Sequence, residues 1–339
     1  MSDPAQSPAP AAPVQGQSVL VTGGTGTFGQ AFVRHCLVHG VRRLVVFSRD
    51  ELKQSEMRRA LPDPRLRFFV GDVRDAGRLA RACRGVSIVV HAAALKQVQS
   101  CEENPEEALH TNVLGTLYVA QACIDAGVPR ALFLSTDKAP NAATLYGATK
   151  FCAERVWVQS NVYAAGTPTK LSATRYGNVI GSRGSVLAVF RAQREANDPL
   201  TITAENATRF WMTIGQAVDL VCMALREMRG GEVFVPKCGS ASVLDFARAV
   251  VEANGTYAPG HRVTGLTAGE KLHETLIGAD EARDAFDFGD HFRIQPAVRS
   301  WGGSFPDTFN KVPADFQYRS DTNPHQLSVQ QIRELQATC

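Results

Sequence analysis

Residues 18–29 read SVLVTGGTGTFG. A short β-branched run, Ser18 to Val21, feeds directly into Thr22, Gly23, Gly24, Thr25, Gly26, Thr27, Phe28 and Gly29, a GxxGxxG loop that opens a helix. Glycine at 23, 26 and 29 permits a tight turn, close approach of backbone to a pyrophosphate, and close helix packing, with the anion at the helix N-terminus. Such a triplet alone is also compatible with a plain turn. Placed after the first strand of a β-α-β pattern, it points to dinucleotide binding.

The sequence downstream supplies that pattern. Apolar, β-branched runs recur at Leu44 to Phe47, Leu66 to Val70, Ser87 to His91 and Ala131 to Leu134, and strands buried on both faces imply a parallel sheet. The stretches between them, Phe28 to His39, Leu79 to Cys83 and Glu106 to Ala126, are long enough for crossover helices, with Gly40 and Gly127 as terminators. The expected fold is α/β, a Rossmann-like doubly wound parallel sheet. After about Gly184 the alternation loosens, and Pro and Gly become frequent from Pro236 onward. That change predicts a smaller, discontinuous second α/β unit. The expected division is a disordered tail over 1–17, a first unit over 18–180 and 208–235, and a second over 181–207 and 236–339.

Length and composition agree with about two domains for 339 residues, 44% hydrophobic and 20% charged. The formal net charge of +3 is spread without long like-charge runs, which gives no support to nucleic-acid binding. The longest apolar stretch, Val86 to Leu95, is interrupted by His91 and falls short of the ~18 residues a membrane span needs. Eight cysteines stand singly, so no metal site or disulfide framework is expected. The first seventeen residues hold four prolines, four alanines and no Lys or Arg, unlike an export signal, so the cytoplasm is the expected compartment.

Three further segments carry chemistry. At the end of the second strand, Ser48, Arg49, Asp50, Glu51, Leu52 and Lys53 stand where a ribose is met. Arg49 and Lys53 can clamp a 2′-phosphate, which favours NADP over NAD; Asp50 can instead serve a ribose hydroxyl, or simply cap a solvated helix. Asp72 and Val73, after the third strand, are placed to meet an adenine edge, or form a turn with an Asx cap. Tyr146 and Lys150 are four apart in a helical window, Leu145 to Glu154, so both lie on one face. A lysine ammonium beside a phenol favours the phenolate, and the pair follows Ser135, Thr136, Asp137 and Lys138 at the carboxyl end of the fifth strand.

At this point the chain resembles the extended short-chain dehydrogenase/reductases, and within them the inverting UDP-N-acetylglucosamine 4,6-dehydratases of pseudaminic acid biosynthesis. The segments that carry the resemblance are SRDELKQSEM at 48–57, RFFVGDVRD at 67–75, HAAALK at 91–96, STDKA at 135–139, LYGATK at 145–150 and RYGNVIGSRGSV at 175–186. Later come TRFW at 208–211, GGEVFVPK at 230–237 and GEKLHE at 269–274. The resemblance implies Asp137 and Lys138 as catalytic acid and base, beside Thr136 and the Tyr146 and Lys150 pair. Further cofactor contacts it implies are Thr25, Thr27, Phe28, Ala92, Ala93, Ala94, Lys96 and Asn112, the last through a water or as a backbone bridge.

For a UDP-sugar substrate, the available cations are Arg183, Arg209 and Lys271. Lys96, Tyr146, Tyr176, Asn178, Val186, Thr203 and Glu270 complete the expected contacts. The chain departs from the family pattern at Thr267 and Ala268, where Arg-Pro is usual, and at Gln97, Val98 and Gln99, where His-Val-Pro is usual. The substrate pocket is therefore open to a different nucleotide sugar. A homo-oligomer, dimer or hexamer, is expected, with no nucleic-acid or membrane partner. Competing readings are a nucleotide-sugar 4-epimerase, which needs Tyr146 and Lys150 but no acid and base at C5 and C6, and a non-catalytic NADP sensor.

Overall fold

The structure, a computed structural model, describes residues 12–251, 257–302 and 310–338. The first half alternates β1 (Ser18–Thr22), α1 (Thr27–Val38), β2 (Arg43–Ser48), α2 (Glu51–Ala60), β3 (Leu66–Val70), α3 (Ala76–Ala82) and β4 (Ile88–His91). Then follow α4 (Val98–Glu103), α5 (Pro105–Leu109), a π-helical turn at His110–Leu114, α6 (Gly115–Asp125), β5 (Arg130–Leu134), α7 (Leu145–Gln159) and β6 (Lys170–Thr174). The single helix expected over Glu106 to Ala126 is thus interrupted by the π turn, whose Asn112 carbonyl accepts from Thr116 Oγ1 of α6 at 2.6 Å.

The strands run 3-2-1-4-5-6 across a parallel sheet, so the connection reverses direction between β1 and β4. Alternate side chains explain burial on both faces. Leu20, Val45, Phe47, Val89 and Phe133 pack with Leu79, Val119, Cys123 and Trp157. Val19, Val21, Leu44, Val46, Val90 and Leu132 face the opposite way, against Phe32, Val33 and Cys36 of α1.

The second half supplies β7 (Asn178–Val179), α8 (Val186–Ala196), β8 (Leu200–Ile202), β9 (Thr208–Met212), α9 (Ile214–Glu227), β10 (Val233–Pro236), β11 (Gly239–Ser242) and α10 (Val243–Val251). It ends with β12 (His261–Val263), β13 (Thr275–Ile277), β14 (Ala285–Asp287), β15 (His291–Ile294), β16 (Asn310–Lys311), β17 (Tyr318–Arg319) and α11 (Val329–Ala337). Strand β10 joins β6 in parallel, and α9 covers the α1 face through Val221 and Leu225. A separate core forms where Phe190 of α8, Ile202, Trp211, Phe246 of α10 and Ile332 of α11 meet.

This arrangement differs from the expected division in three places. Strands β7 and β9, both assigned to the first unit, pair with β11 of the second in a three-stranded sheet separate from the main one. Strands β14, β15 and β16, assigned to the second unit, extend the main sheet through an antiparallel pairing of β15 with β10. The expected tail is also shorter. Val14 is fully buried in the core on the α1 face, and the Gln17 carbonyl accepts from the amides of Arg42 and Arg43, so residues 12–17 pack at the amino ends of β1 and β2. Residues 1–11 lie outside the described part. Among the described residues, no helix is long and apolar enough to cross a membrane.

Candidate active site

The glycine loop sits where the sheet reverses direction. Gly23 has φ of +66°, and a Cβ there would lie 2.9 Å from the backbone of Ala92 and Ala93. A Cβ on Gly29 would lie 2.5 Å from the Gly23 carbonyl. The loop after β4 is fixed against it by Thr22, whose Oγ1 accepts from the amides of Ala92 and Ala93 at 3.2 and 3.3 Å. Thr22 is itself bonded to His91 Nδ1 at 2.6 Å, and His91 Nε2 to Thr116 at 3.0 Å. Burial, helped by the nearby Lys150 ammonium, pushes the His91 imidazole down to about 3, so the ring is a neutral strut.

Above these loops opens a cavity of about 680 Å³. Gly23, Thr25, Gly26, Thr27, Phe28, Gly29, Ser48, Arg49, Lys53, Val73, Ala92, Ala93, Ala94, Lys96, Tyr146 and Lys150 all line it. The bare backbone of the glycine loop and the helix end behind it form a cradle that fits a dinucleotide pyrophosphate.

Two expected cofactor contacts lie elsewhere. Asp72 is not in the wall; its carboxylate accepts from the Arg74 backbone amide at 2.9 Å and pairs with Arg74 at 2.8 Å and Arg49 at 3.6 Å. Asn112 also stands behind the wall. Its Oδ1 accepts from the Leu95 amide at 2.8 Å and its Nδ2 donates to the Leu95 carbonyl at 3.0 Å, so it bridges backbone and holds the Ala92 to Lys96 loop.

The far wall carries the acid and base groups. Beyond β5, Ser135 and Asp137 donate their amides to the carbonyls of Thr174 and Tyr176, which pins the turn to β6. Asp137 is fully buried, and its Oδ1 accepts from Thr136 Oγ1 and Lys138 Nζ, both at 3.0 Å. Lys138 Nζ also donates to Asn178 Oδ1 at 3.3 Å and lies 3.3 Å from Glu274 Oε1. Burial opposes the Lys138 charge, but the carboxylates of Asp137 and Glu274 outweigh it and hold the ammonium above its ordinary range. Helix α7 brings Tyr146 and Lys150 to the same wall, capped by Thr144, whose Oγ1 accepts from the Gly147 amide. A side chain at 147 would meet the Lys138 carbonyl, so the glycine in LYGATK lets α7 approach the acid and base pair.

The expected lowering of the Tyr146 phenol by Lys150 is not what this geometry gives. Burial pushes Tyr146 up to about 12, and the groups that pull it back are the Lys138 ammonium and a hydrogen bond with Thr136. Lys150 turns its Nζ to the Leu134 carbonyl, at 2.6 Å, above the Phe133 ring. Burial lowers Lys150 itself to about 7, against a raising effect of Glu154.

Tyr176, Asn178, Arg183 and Val186 line the large cavity, whereas Arg209, Glu270 and Lys271 line a second one, about 260 Å³, that shares Lys138 and Asn178 with it. There the expected diphosphate cations are already engaged. Arg209 pairs with Glu270 at 2.8 Å and donates to the carbonyls of Thr208 and Leu272. Lys271 Nζ donates to the Pro140 carbonyl at 2.7 Å. Glu270 is further saturated by Thr203 Oγ1 at 2.8 Å and by the Thr267 amide and hydroxyl, so Thr203 buttresses Glu270 and lines neither cavity.

Sequence reasoning passed over Glu274, which closes the charge cluster, although it is the last residue of the GEKLHE segment. Trp211 ends TRFW and was also passed over; it stacks on Phe246 at 3.9 Å, and both line the large cavity. Nothing in the sequence around Phe246 signals that placement.

With this geometry in view, the likenesses are informative. Residues 19–296 match the polysaccharide biosynthesis protein family. The chain is 39% identical over 330 residues to the inverting UDP-N-acetylglucosamine 4,6-dehydratase of Campylobacter jejuni, covering 94% of this chain and 97% of that one. It is also 37% identical over 328 residues to the UDP-glucose 4-epimerase of Rickettsia canadensis, covering 95% and 96%. Among solved structures, Pen from Bacillus thuringiensis has a TM-score of 0.87 and 32% identity, covering 96% of this chain and 99% of that one. The chain belongs to the polysaccharide biosynthesis protein family, within the extended short-chain dehydrogenase/reductases.

Proposed function

We propose that the protein is a nicotinamide-dependent 4,6-dehydratase that converts UDP-N-acetylglucosamine to a 4-keto-6-deoxy UDP-hexosamine with inversion at C5, as pseudaminic acid synthesis requires. The observation that carries this reading is the Asp137 and Lys138 pair, 3.0 Å apart and in the same wall as Tyr146 and Lys150. Oxidation and reduction at C4 need only Tyr146 and Lys150. An acid and a base side by side serve elimination across C5 and C6.

The residues placed to hold the cofactor are Gly23 to Gly29 at the pyrophosphate, Ala92 to Ala94 beside it, and Arg49 with Lys53 at the ribose, a basic pair that suits the 2′-phosphate of NADP. When bound, the nicotinamide supplies a two-electron acceptor for C4 and a donor for C6. Tyr146 takes the C4 hydroxyl proton as the phenolate, the form that the Lys138 ammonium and the Thr136 hydrogen bond favour against burial. The C4 ketone acidifies C5, Lys138 removes the C5 proton, and Asp137 protonates the departing C6 hydroxyl; as C6 is reduced, a proton returns to C5 on the opposite face. Asp137 Oδ2, buried without a hydrogen-bond partner among the described residues, is the oxygen free to carry the proton for the C6 hydroxyl. In this reading Asn178 steadies Lys138 from the substrate side. The enzyme works in the cytoplasm as a homo-oligomer, dimer or hexamer, which light scattering on the purified chain tests.

The Rickettsia relative bears the name of an epimerase, so a 4-epimerase is the second reading. Incubation with UDP-N-acetylglucosamine in deuterated water separates the two. Loss of water with one deuterium at C5, abolished in Lys138→Ala, is the expected result. An unchanged mass with a new C4 epimer would sink the dehydratase reading, and full turnover by Lys138→Ala would remove the base assignment.

A further inference from the structure

Lys138 rests between two buried carboxylates. Its Nζ is 3.0 Å from Asp137 Oδ1 and 3.3 Å from Glu274 Oε1. Glu274, only 3% exposed, is fixed through its backbone: its amide donates to Ser320 Oγ at 2.9 Å, and the Ser320 amide donates to its carbonyl at 2.9 Å. Its carboxylate is far less tied. The other cations that face it are Arg209, whose Nε is 3.9 Å away and whose Nη2 is given to Glu270, and Lys271, whose Nζ is given to Pro140. Among the described residues, Glu274 Oε2 is buried without a hydrogen-bond partner.

Buried acids elsewhere in the fold are saturated. Both oxygens of Glu154 accept from Arg175, and both of Glu232 accept, from the Ser172 hydroxyl and the amides of Arg229 and Gly230. A carboxylate that only balances a buried charge is expected to be filled in that way. One that keeps a bare oxygen beside an ammonium has room to take up a proton.

Elimination requires Lys138 as a neutral amine, yet the resting cluster holds it as an ammonium. We propose that Glu274 is the positioning residue that takes the Lys138 proton before elimination and returns it afterwards, making Asp137, Lys138 and Glu274 a closed proton relay. The relay rests on the dehydratase reading above. The cycle starts with Glu274 and Asp137 ionised and Lys138 charged. A proton moves from Lys138 Nζ to Glu274 Oε1, and the freed lone pair removes the C5 proton, leaving the C5–H electron pair in the enolate of the C4 ketone. Lys138 passes that proton to Asp137. The enolate pair becomes the C5–C6 double bond as the C6–O bond breaks, Asp137 gives the proton to the oxygen, which leaves as water, and Glu274 reprotonates Lys138. The three groups finish as they began, one proton has travelled from C5 to the departing oxygen, and no co-reactant is consumed. Burial raises the Glu274 carboxyl, with Asp137 adding to the effect, while Lys138, Arg209 and Lys271 act against it; the net upward shift suits an acceptor.

Two measurements on Glu274→Gln and Glu274→Asp test the relay. The first needs no substrate: acetic anhydride labelling of Lys138 is followed against pH by mass spectrometry, with the exposed Lys170 as internal reference. Removing a neighbouring anion destabilises the ammonium, so Glu274→Gln should move the Lys138 profile down by about one pH unit or more while the Lys170 profile stays in place. Superimposable Lys138 profiles would overturn the proposal. The second follows dehydration of UDP-N-acetylglucosamine by the protein carrying its cofactor. Glu274→Gln should lower kcat at least about tenfold with KM within about twofold, and lose an acidic limb of the pH profile that Glu274→Asp partly restores. Wild-type kcat in Glu274→Gln would also overturn it. If the wild-type chain epimerises instead, the dehydratase reading falls, and the labelling shift still decides whether Glu274 governs the Lys138 proton.

Discussion

Lys150 Nζ donates a 2.6 Å hydrogen bond to the Leu134 carbonyl, tying α7 to the carboxyl end of β5. That bond keeps a buried amine in place, and burial lowers the Lys150 group to about 7 while Glu154 works to raise it. In the unfolded chain a lysine titrates near ~10.4. Between these values the unfolded state binds more protons, so stability rises with pH across that window, is complete above it, and is lost as pH falls through about 7. Denaturant unfolding of the cofactor-free protein at several pH values should show this slope, and Lys150→Met should flatten it. The same variant should lose activity by about 100-fold or more. Equal slopes in the two proteins would refute the assignment.

Gly23 combines a left-handed backbone with close neighbouring backbone. Its φ is +66°, and the atoms a Cβ would meet at 2.9 Å belong to the backbone of Ala92 and Ala93, which cannot swing aside. Gly23→Ala is expected to cost about 1–3 kcal/mol of stability. Because the same shift displaces the cradle, NADPH affinity in a fluorescence titration should fall at least about tenfold, or ~1.4 kcal/mol. Unaltered affinity would place the pyrophosphate elsewhere.

Arg175, in the RYGN segment, is a structural hub. It is fully buried, bonds both Glu154 oxygens and both Glu281 oxygens, and donates to the Leu276 carbonyl at 3.0 Å. It thereby joins α7 to the chain following β13. Arg175→Met leaves two carboxylates facing each other in a dry site and should lower stability by about 3–5 kcal/mol in urea unfolding. Adding Glu154→Gln and Glu281→Gln should recover part of that loss, since no unpaired anion then remains; no recovery would contradict the electrostatic cause.

Cofactor preference should be decided at the end of β2. Lys53 pairs with Asp50 and Arg49 with Asp72, so each basic group already faces an acid beside the cavity. A 2′-phosphate would recruit both cations. Replacing Arg49 and Lys53 together by alanine should weaken NADPH binding about tenfold or more and leave NADH binding nearly unchanged. Equal losses for both nucleotides would argue against a 2′-phosphate site.

The first half of the fold is legible because its signals are local. The GxxGxxG loop, the β-branched runs and the helix-length spacings each report on a few adjacent residues, and they mark β1 to β5 and α1 to within one residue of their ends, and the start but not the end of α7. The second half was harder. Short strands such as β7 and β16, two residues each, carry no periodicity, so the attachment of β14 to β16 to the main sheet has no local signature.

The sequence alone determined that this chain makes a parallel, Rossmann-like sheet and that Asp137, Lys138, Tyr146 and Lys150 cluster near its carboxyl edge, because the spacing of the runs and of these residues imposes both. Tertiary structure decided what each charge does there. Whether Arg209 is free for a ligand or bound to Glu270, whether Lys150 addresses Tyr146 or Leu134, and whether Glu274 joins Lys138 depend on which distant segments meet in a low-dielectric interior. Burial and long-range pairing set protonation and availability, and neither is written in the neighbouring residues of the chain.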